Sequence, residues 1–406
     1  MGSAKMRPIK RLIRLEQALD LAMSRTKQVT RIEKVALLDS VGRVAARDVV
    51  SDIHVPPFAR SAMDGYAVRA GDTLGASKLH PLRFRRIEAI YAGSVPRKQI
   101  HRGECAEIAT GAMLPKGSDS VVIVEDTEED VGIIQIFNAV HRGENVSKKG
   151  EDISPGVRVI AAGETLNPSK AGAIAALGRE FVDVFAKPLV GVAPTGNEIA
   201  PLGSKLKPGQ VFNINSYTLA SVIRANGGEA RVLDKVNDSL SDLERVLRRN
   251  SDCDMLVFSG GSSVGERDVM LDVLEKRGEV VFHGVAIKPG KPTLFGVVGE
   301  QIVWGMPGYP TACLSNAYIL LAPVLRRMAR LSELPPITME ATMSNRVTST
   351  TGRTQFLTVK IHDGHAVPAF KESGAITSMA FADGYIVIPS DVDLVEKGEK
   401  VIVHLL

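Results

Sequence analysis

Three acidic side chains lie just beyond apolar runs that are typical of buried strands. Glu198, Asp238 and Asp268 each occupy a loop at the end of such a run. Ligands bind beyond the carboxyl ends of the strands in an open parallel sheet, so we expect the three carboxylates to converge. Converging carboxylates repel one another unless a cation holds them, and oxygen ligands favour Mg²⁺. The spacing therefore predicts a magnesium site at one edge of a sheet.

Each of these acids also has a purely local interpretation. Asp268 and Asp238 stand immediately before or at the start of predicted helices, where an aspartate commonly acts as N-cap. Glu198 follows a Thr-Gly turn and is equally compatible with an acid in the first turn of a helix. The sequence leaves both interpretations open.

Glycines and lysines in the same region are suited to binding anions. Adjacent glycines allow a ligand to approach the backbone closely, and successive N–H groups can form an anion-binding nest. Two lysines on a proline-flanked loop are suited to phosphate contact, although a solvated basic turn is the simpler alternative. A Pro-Gly loop before a third helix could be a further anion-binding site or a structural turn. The candidate substrate-binding residues are Ser259, Gly260, Gly261, Ser262, Lys288, Lys291, Pro307, Gly308 and Pro310.

Two more candidates lie in a region rich in short apolar runs and turns. Asp64 precedes a glycine, and Thr110 lies in an Ala-Thr-Gly segment, so either residue could serve only a local turn. No P-loop, dinucleotide fingerprint or nucleophile elbow occurs, and the scattered histidines make a zinc site improbable.

The order of predicted elements indicates a mixed α/β multidomain protein. A β-rich region runs from Val55 to about Val146, and strands alternate with helices of about ten residues from Leu189 onward. Helices are predicted at Leu15–Ser24, Tyr217–Ala225, Ser239–Arg249, Arg267–Arg277 and Ala312–Arg330. The alternation predicts a parallel-rich sheet with crossover helices. Alternating runs after a Pro-Pro linker predict a small C-terminal β domain.

Bulk properties exclude several classes of protein. The chain of 406 residues is long enough for several domains. Its net charge of +4 is too small to indicate nucleic-acid binding. No apolar run approaches the roughly 20 residues of a membrane span. The three cysteines, Cys105, Cys253 and Cys313, are distant in sequence and odd in number, which favours a reducing cytoplasm.

Together, the motifs resemble those of the MoeA family, which includes the E domain of gephyrin. They occur in the family's order and span nearly the whole chain. The matching stretches are Ser61–Arg69, Ala109–Pro115, Gly150–Ile153, Pro194–Ile199, Ser259–Asp268, Ala286–Pro292 and Gly305–Pro310.

The resemblance implies a domain organisation. The expected fold has a MogA-like three-layer α/β core, a β-rich inserted domain, a connecting α+β domain and a small C-terminal β-barrel. An N-terminal helix (1–30) would pack on the core (185–330). The connecting domain would comprise 31–54 and 147–184, the β-rich domain 55–146 and the barrel 331–406.

The resemblance also implies a function. Family members insert molybdenum from molybdate into adenylylated molybdopterin and release AMP, in the last step of molybdenum-cofactor synthesis. Asp238 and Asp268 match acids that bind Mg²⁺, and Glu198 matches a further catalytic acid. Lys288 and Lys291 match the family's K-P-G-K-P loop. Two positions depart from the family pattern, since Gly284 and Tyr309 stand where some members have lysine and asparagine.

Family members are homodimers with each site at the subunit interface, and Asp64 and Thr110 match residues contributed across that interface. A MogA-type adenylyltransferase is a possible partner that would supply the substrate. Three alternatives remain: a tungstate-specific paralogue of the same reaction, a gephyrin-like scaffold or binding module, and a hydrolase of nucleotide pyrophosphates.

Overall fold

The computed structural model describes residues 12–260, 269–333, 335–370 and 374–406. Within them the chain forms two compact units: a smaller one of Lys34–Val41 and Ala45–Asp183, and a larger one that contains the remaining segments. Each helix within these described ranges is too short or too polar to span a lipid bilayer.

The first part of the chain is dominated by short strands. Its elements are α1 (Leu15–Arg25), β1 (Ile32–Ala36), β2 (Val49–Val50), β3 (Arg60–Ser61), β4 (Gly65–Val68), β5 (Leu82–Ile90), β6 (Glu104–Ile108), β7 (Ser120–Ile123), β8 (Thr127–Asp130), β9 (Ile133–Ile136), β10 (Val146–Ser147), β11 (Arg158–Ile160), α2 (Pro168–Ala176) and β12 (Phe181–Phe185).

The smaller unit is built on one six-stranded sheet in the order β7-β4-β6-β5-β9-β8. Alternate residues of its strands face opposite sides, as the two-residue period of a strand requires. Tyr66 and Val68 pack into one apolar cluster, and Ala67 packs into the cluster on the other face. The predicted β-rich region is therefore confirmed.

Strands and helices alternate in the middle of the chain. The elements are β13 (Leu189–Pro194), β14 (Ile199–Ala200), β15 (Val211–Phe212), α3 (Asn215–Ala225), β16 (Glu229–Val232), α4 (Leu240–Arg249), β17 (Met255–Ser259), α5 (Val269–Arg277), β18 (Glu279–His283), β19 (Ile287–Lys288), β20 (Leu294–Val298), β21 (Gln301–Met306), α6 (Pro310–Asn316) and α7 (Ala322–Met328).

The large sheet of this part has the order β16-β13-β17-β21-β20-β18, and its first four strands are parallel. Val192 and Trp304 face the core shared with α1, α3, α6 and α7. Phe258 and Val303 face the opposite core, which α4 and α5 cover. The sheet is thus the middle of three layers, as predicted.

One predicted helix differs in detail from the structure. The segment predicted as a single helix, Ala312–Arg330, begins as α6 at Pro310, passes through a π-helical turn at Ala317–Leu321 and ends with α7 at Met328. Pro323 lies in the first turn of α7. A proline has no N–H to donate to the preceding turn, and its ring clashes with the carbonyl four residues earlier. The wider π turn accommodates that break.

The C-terminal part forms a closed barrel. Its elements are β22 (Thr338–Met343), β23 (Val347–Thr348), β24 (Thr354–His362), β25 (His365–Pro368), α8 (Thr377–Ala380), β26 (Gly384–Ile388), β27 (Leu394–Val395) and β28 (Lys400–Leu405). The strand order is β24-β25-β22-β28-β26, and a β24–β26 pairing closes the ring. Strand β19 from the middle of the chain adds to β24. The predicted small barrel is confirmed.

Candidate functional site

The carboxyl ends of three neighbouring strands lie side by side in the large sheet. Pro194 of β13 pairs with Ser259 of β17, and Ser259 pairs with Met306 of β21. Beyond these residues, the Thr195 N–H donates to the Ser259 carbonyl at 3.0 Å, and the Gly260 N–H donates to the Met306 carbonyl at 3.1 Å. The loops predicted to bind substrate therefore leave the sheet at one edge.

Close backbone approach at this edge requires glycine. Gly260 has a φ of +99°, and a Cβ there would lie 2.6 Å from the Thr195 carbonyl oxygen. A Cβ on Gly308 would lie 3.6 Å from the Gly260 Cα, so the loops after β17 and β21 are in contact. The Asn215 side-chain amide at the start of α3 donates to the Gly308 carbonyl at 2.9 Å and fixes the second loop.

Glu198 and Asp238 form an acidic pair at this edge. A parallel bridge between Thr195 and Val236 extends the pairing of β13 with β16, so the two acids follow neighbouring chain segments. Burial raises the pKa of Asp238, and the negative charge of Glu198 raises it further. A bound cation would relieve this repulsion, because an opposite charge favours the ionised carboxylate.

The local interpretations of both acids are wrong. Ser239, rather than Asp238, caps α4, since its hydroxyl accepts from the Asp242 N–H at 3.2 Å. No helix begins at Glu198, which is followed by strand β14. Its carboxylate folds back over Gly196, where a Cβ would lie 2.5 Å from a carboxylate oxygen. Neither carboxylate therefore caps a helix.

Lys288 and Lys291 lie on a loop, Lys288–Pro292, at the same edge of the sheet. This lysine loop precedes β20, whose first residue, Leu294, pairs with Gly305 near the carboxyl end of β21. Both lysines are partly buried. The Lys288 ammonium donates to the Thr350 hydroxyl at 2.8 Å. Within the described ranges, neither lysine has a carboxylate partner.

Asn316 of α6 holds the centre of the lysine loop. It is fully buried, and its amide nitrogen donates to the Gly290 carbonyl at 3.0 Å and to the Thr293 hydroxyl at 2.6 Å. The Thr293 hydroxyl donates to the same carbonyl at 2.8 Å. Gly290 has a φ of +114°, and a Cβ there would lie 2.2 Å from the Asn316 amide oxygen. Neutral groups therefore fix the loop.

Asp64 and Thr110 meet in the smaller unit, where β4 and β6 are paired. Thr110 donates its N–H at 2.7 Å and its hydroxyl at 2.9 Å to one Asp64 carboxylate oxygen. These hydrogen bonds, the backbone one most strongly, lower the pKa of Asp64. Both residues are exposed, and Asp64 borders a cleft of about 180 Å³ that also contains Tyr66 and Tyr91.

Part of the predicted site lies outside the described residues, namely Gly261, Ser262 and Asp268. Among the residues that are described, no group of three or more histidine, cysteine, aspartate or glutamate side chains is arranged to hold a metal ion. The observed acidic pair of Glu198 and Asp238 is thus the described part of the predicted magnesium site.

Comparison with known proteins covers almost the whole chain. Residues 13–178 match the model of the MoeA N-terminal region (domain I and II), 191–327 a probable molybdopterin binding domain, and 340–406 the MoeA C-terminal region (domain IV). A molybdopterin molybdenumtransferase from Bacillus subtilis is 34% identical over 387 residues, which cover 92% of this chain and 90% of that protein. The chain belongs to the MoeA family.

Relatives from archaea agree with this assignment. A putative molybdopterin biosynthesis protein from Methanocaldococcus jannaschii is 32% identical over 415 residues, covering 99% of this chain and all of the relative. A crystal structure of a molybdopterin biosynthesis MoeA protein from Pyrococcus horikoshii has a TM-score of 0.83 at 41% identity and covers 97% of this chain and 99% of its own. A second from that organism has a TM-score of 0.80 at 29% identity, covering 98% and 100%.

Sequence reasoning missed three polar residues that organise this MoeA-family site: Asn215, Asn316 and Thr350. Asn316 carried a usable signal, because it is a polar residue within an apolar helical run. Thr350 carried none, since it contacts Lys288 from 62 positions away. Gly284, where the resemblance implied a lysine in some members, has a φ of +98°, a conformation that a lysine adopts only with strain.

Proposed function

We propose that this chain is a molybdopterin molybdenumtransferase, which inserts molybdenum from molybdate into adenylylated molybdopterin and releases AMP. The observation that carries the proposal is that an acidic pair and a two-lysine loop lie at the same edge of the sheet in the probable molybdopterin binding domain. The activity named for the Bacillus subtilis relative, which matches along nearly its whole length, supports it.

The reaction brings negatively charged groups together, so their charge must be neutralised. Molybdate is a dianion that must approach a phosphorylated dithiolene. Two Mo–S bonds form as the two thiols of the dithiolene give up their protons and one oxo group leaves with them as water, and a second water molecule hydrolyses the pyrophosphate bond that holds the adenylyl group; no oxidation state changes. In this proposal Lys288 and Lys291 neutralise the incoming oxyanion and the phosphates, so that the like-charged groups can approach each other.

The described acids fit a Mg²⁺ ion. Oxygen ligands suit this hard cation, and the raised pKa of Asp238 beside Glu198 indicates that positive charge would be stabilising there. Asp238 and Asp268 would hold the ion, with Glu198 beside them as a further catalytic acid. Mg²⁺ bound there would polarise the pyrophosphate as a Lewis acid.

The strand-end loops bind the remainder of the substrate in this proposal. Gly308 has no side chain that would keep a ligand away from the backbone of its loop, and Gly260 lets the neighbouring loop pass close beside it. The residues proposed to contact substrate, besides the lysines, are Ser259, Gly260, Gly261, Ser262, Pro307, Gly308 and Pro310.

We further propose a homodimer in which Asp64 and Thr110 of one subunit act in metal insertion at the site of the other. The two hydrogen bonds from Thr110 hold the Asp64 carboxylate ionised and oriented while it stays exposed. A MogA-type adenylyltransferase would supply the substrate. A cytoplasmic location is consistent with Cys105, Cys253 and Cys313, which are all unpaired thiols.

Release of AMP tests the proposal directly. The full-length protein would be incubated with adenylylated molybdopterin, molybdate and Mg²⁺, and we expect AMP to accumulate with metallated product. Lys291→Gln should lower the rate, whereas Lys397→Gln, an exposed lysine in a barrel turn, should not. No AMP release from the folded wild-type protein would contradict the proposal, and faster turnover with tungstate would identify a tungstate-specific enzyme.

A further inference from the structure

The lysine loop is attached to the C-terminal barrel as well as to the large sheet. Strand β19, which ends at Lys288, runs parallel to the start of β24, with Ile287 opposite Thr354 and Lys288 opposite Gln355. The Thr354 N–H donates to the Ala286 carbonyl at 2.9 Å. The first lysine of the loop is therefore positioned by the barrel strand beside it.

The turn that precedes β24 is itself fixed to the barrel. The Arg353 N–H donates to the Thr350 carbonyl at 3.3 Å and closes the turn, and Gly352 provides its positive φ of +81°. The Gly352 N–H donates to the Ser390 carbonyl at 2.7 Å. The turn that carries Thr350 is therefore closed by one hydrogen bond and held to the rest of the barrel by another.

The contact between Thr350 and Lys288 has a specific chemical consequence. The Thr350 hydroxyl oxygen accepts from the Lys288 ammonium at 2.8 Å, and both residues are partly buried. A hydroxyl is neutral, so it orients the ammonium group without cancelling its charge. A carboxylate in that place would form an ion pair with which an incoming anion would have to compete.

We propose that Thr350 is a positioning residue for Lys288, and that the C-terminal barrel thereby aims this lysine at the oxyanion of the substrate. Thr350 acts through Lys288 and does not itself need to contact substrate. The inference rests on the proposed function, in which Lys288 binds molybdate or phosphate, and it gives the barrel a part in anion binding.

Three variants of the full-length protein test this role. Thr350→Val removes the hydroxyl and keeps the shape, Thr350→Ser restores the hydroxyl, and Thr351→Val removes the neighbouring exposed hydroxyl as a matched control. Molybdate binding would be measured by equilibrium dialysis with molybdate alone. We expect Thr350→Val to weaken binding by about two- to tenfold, because the freed Lys288 side chain must then be ordered when the anion binds. The other two variants should resemble wild type.

A second measurement does not depend on activity. Acylation of individual lysines, followed by mass spectrometry, reports how firmly each amine is held. Lys288 should be acylated faster in Thr350→Val than in wild type or Thr350→Ser, with Lys397 as the internal reference.

Steady-state kinetics should show a higher KM for molybdate in Thr350→Val, with little change in kcat.

The outcomes separate the two hypotheses. A wild-type protein that is folded but binds no molybdate contradicts the proposed function, whatever the acylation shows. Equal molybdate binding by wild type and Thr350→Val contradicts the positioning role alone. If Thr350→Ser binds molybdate as weakly as Thr350→Val, the positioning role is also contradicted, since the hydroxyl would then not be what maintains the affinity.

Discussion

Replacing Asn316 by alanine should loosen the lysine loop and destabilise the larger unit. The buried amide donates two hydrogen bonds to the segment, at 3.0 and 2.6 Å. Each is worth about 1 kcal/mol, so their loss costs about 2 kcal/mol. The Asn316 amide oxygen is buried without a hydrogen-bond partner in the described structure. Its removal returns up to about 1 kcal/mol. We therefore expect Asn316→Ala to lower the free energy of unfolding by about 1–2 kcal/mol.

Urea unfolding and molybdate binding would be measured together. Asn226→Ala is the matched control, because its amide donates a single bond, to the Val222 carbonyl at 2.9 Å, at the end of α3. The control should lose less stability and keep its affinity for molybdate, whereas Asn316→Ala should lose affinity as the lysines become less well placed. If Asn316→Ala were no less stable than the control and bound molybdate as tightly as wild type, Asn316 would not hold the loop.

Three further predictions follow from the contacts. Thr110→Val removes one donor to Asp64 and should raise its pKa, so the acidic limb of the rate profile should move to higher pH; Thr110→Ser should leave that limb in place. Glu198→Gln removes a negative charge and should lower the pKa of Asp238, as a carboxyl NMR titration would show; an unchanged titration would mean that the two acids are not close. Gly260→Ala adds a Cβ 2.6 Å from a carbonyl oxygen at a φ of +99° and should lower the free energy of unfolding by about 1–3 kcal/mol. Thermal unfolding that matches wild type would contradict this last expectation.

Elements with strong local patterns could be predicted from the sequence. Helix α4 was predicted to within one residue, because Leu243 and Leu247 mark its buried face and Ser239 precedes it. The cap itself could not be assigned, because Asp238 and Ser239 are adjacent and both residue types are good N-caps. Which of the two caps the helix depends on which side chain accepts a hydrogen bond from the Asp242 N–H, and the sequence does not specify that geometry.

The part of the candidate site that lies at the ends of strands could be predicted from the sequence. Glu198 and Asp238 follow runs that end at one edge of a parallel sheet, so their proximity follows from topology. The supporting contacts depend instead on tertiary structure. Thr350 reaches Lys288 only because the barrel strand β24 runs beside β19, and no periodicity in either segment indicates that pairing.

Positively charged side chains have different hydrogen-bond partners at the two edges of the large sheet. Near the amino ends of the strands, Arg31 forms a two-pronged hydrogen-bonded ion pair with Asp254, and Arg277 does the same with Glu244. Such cations already have their counterions, so an arriving anion gains little there.

At the carboxyl edge, the described partners of the lysine loop are neutral hydroxyl and amide groups from Thr350, Thr293 and Asn316. These groups fix the position of the loop while its positive charge remains available. The sheet separates the two groups of positive charge, and the unpaired lysines lie at the edge where Glu198 and Asp238 are also found, which is where the proposed function places anion binding.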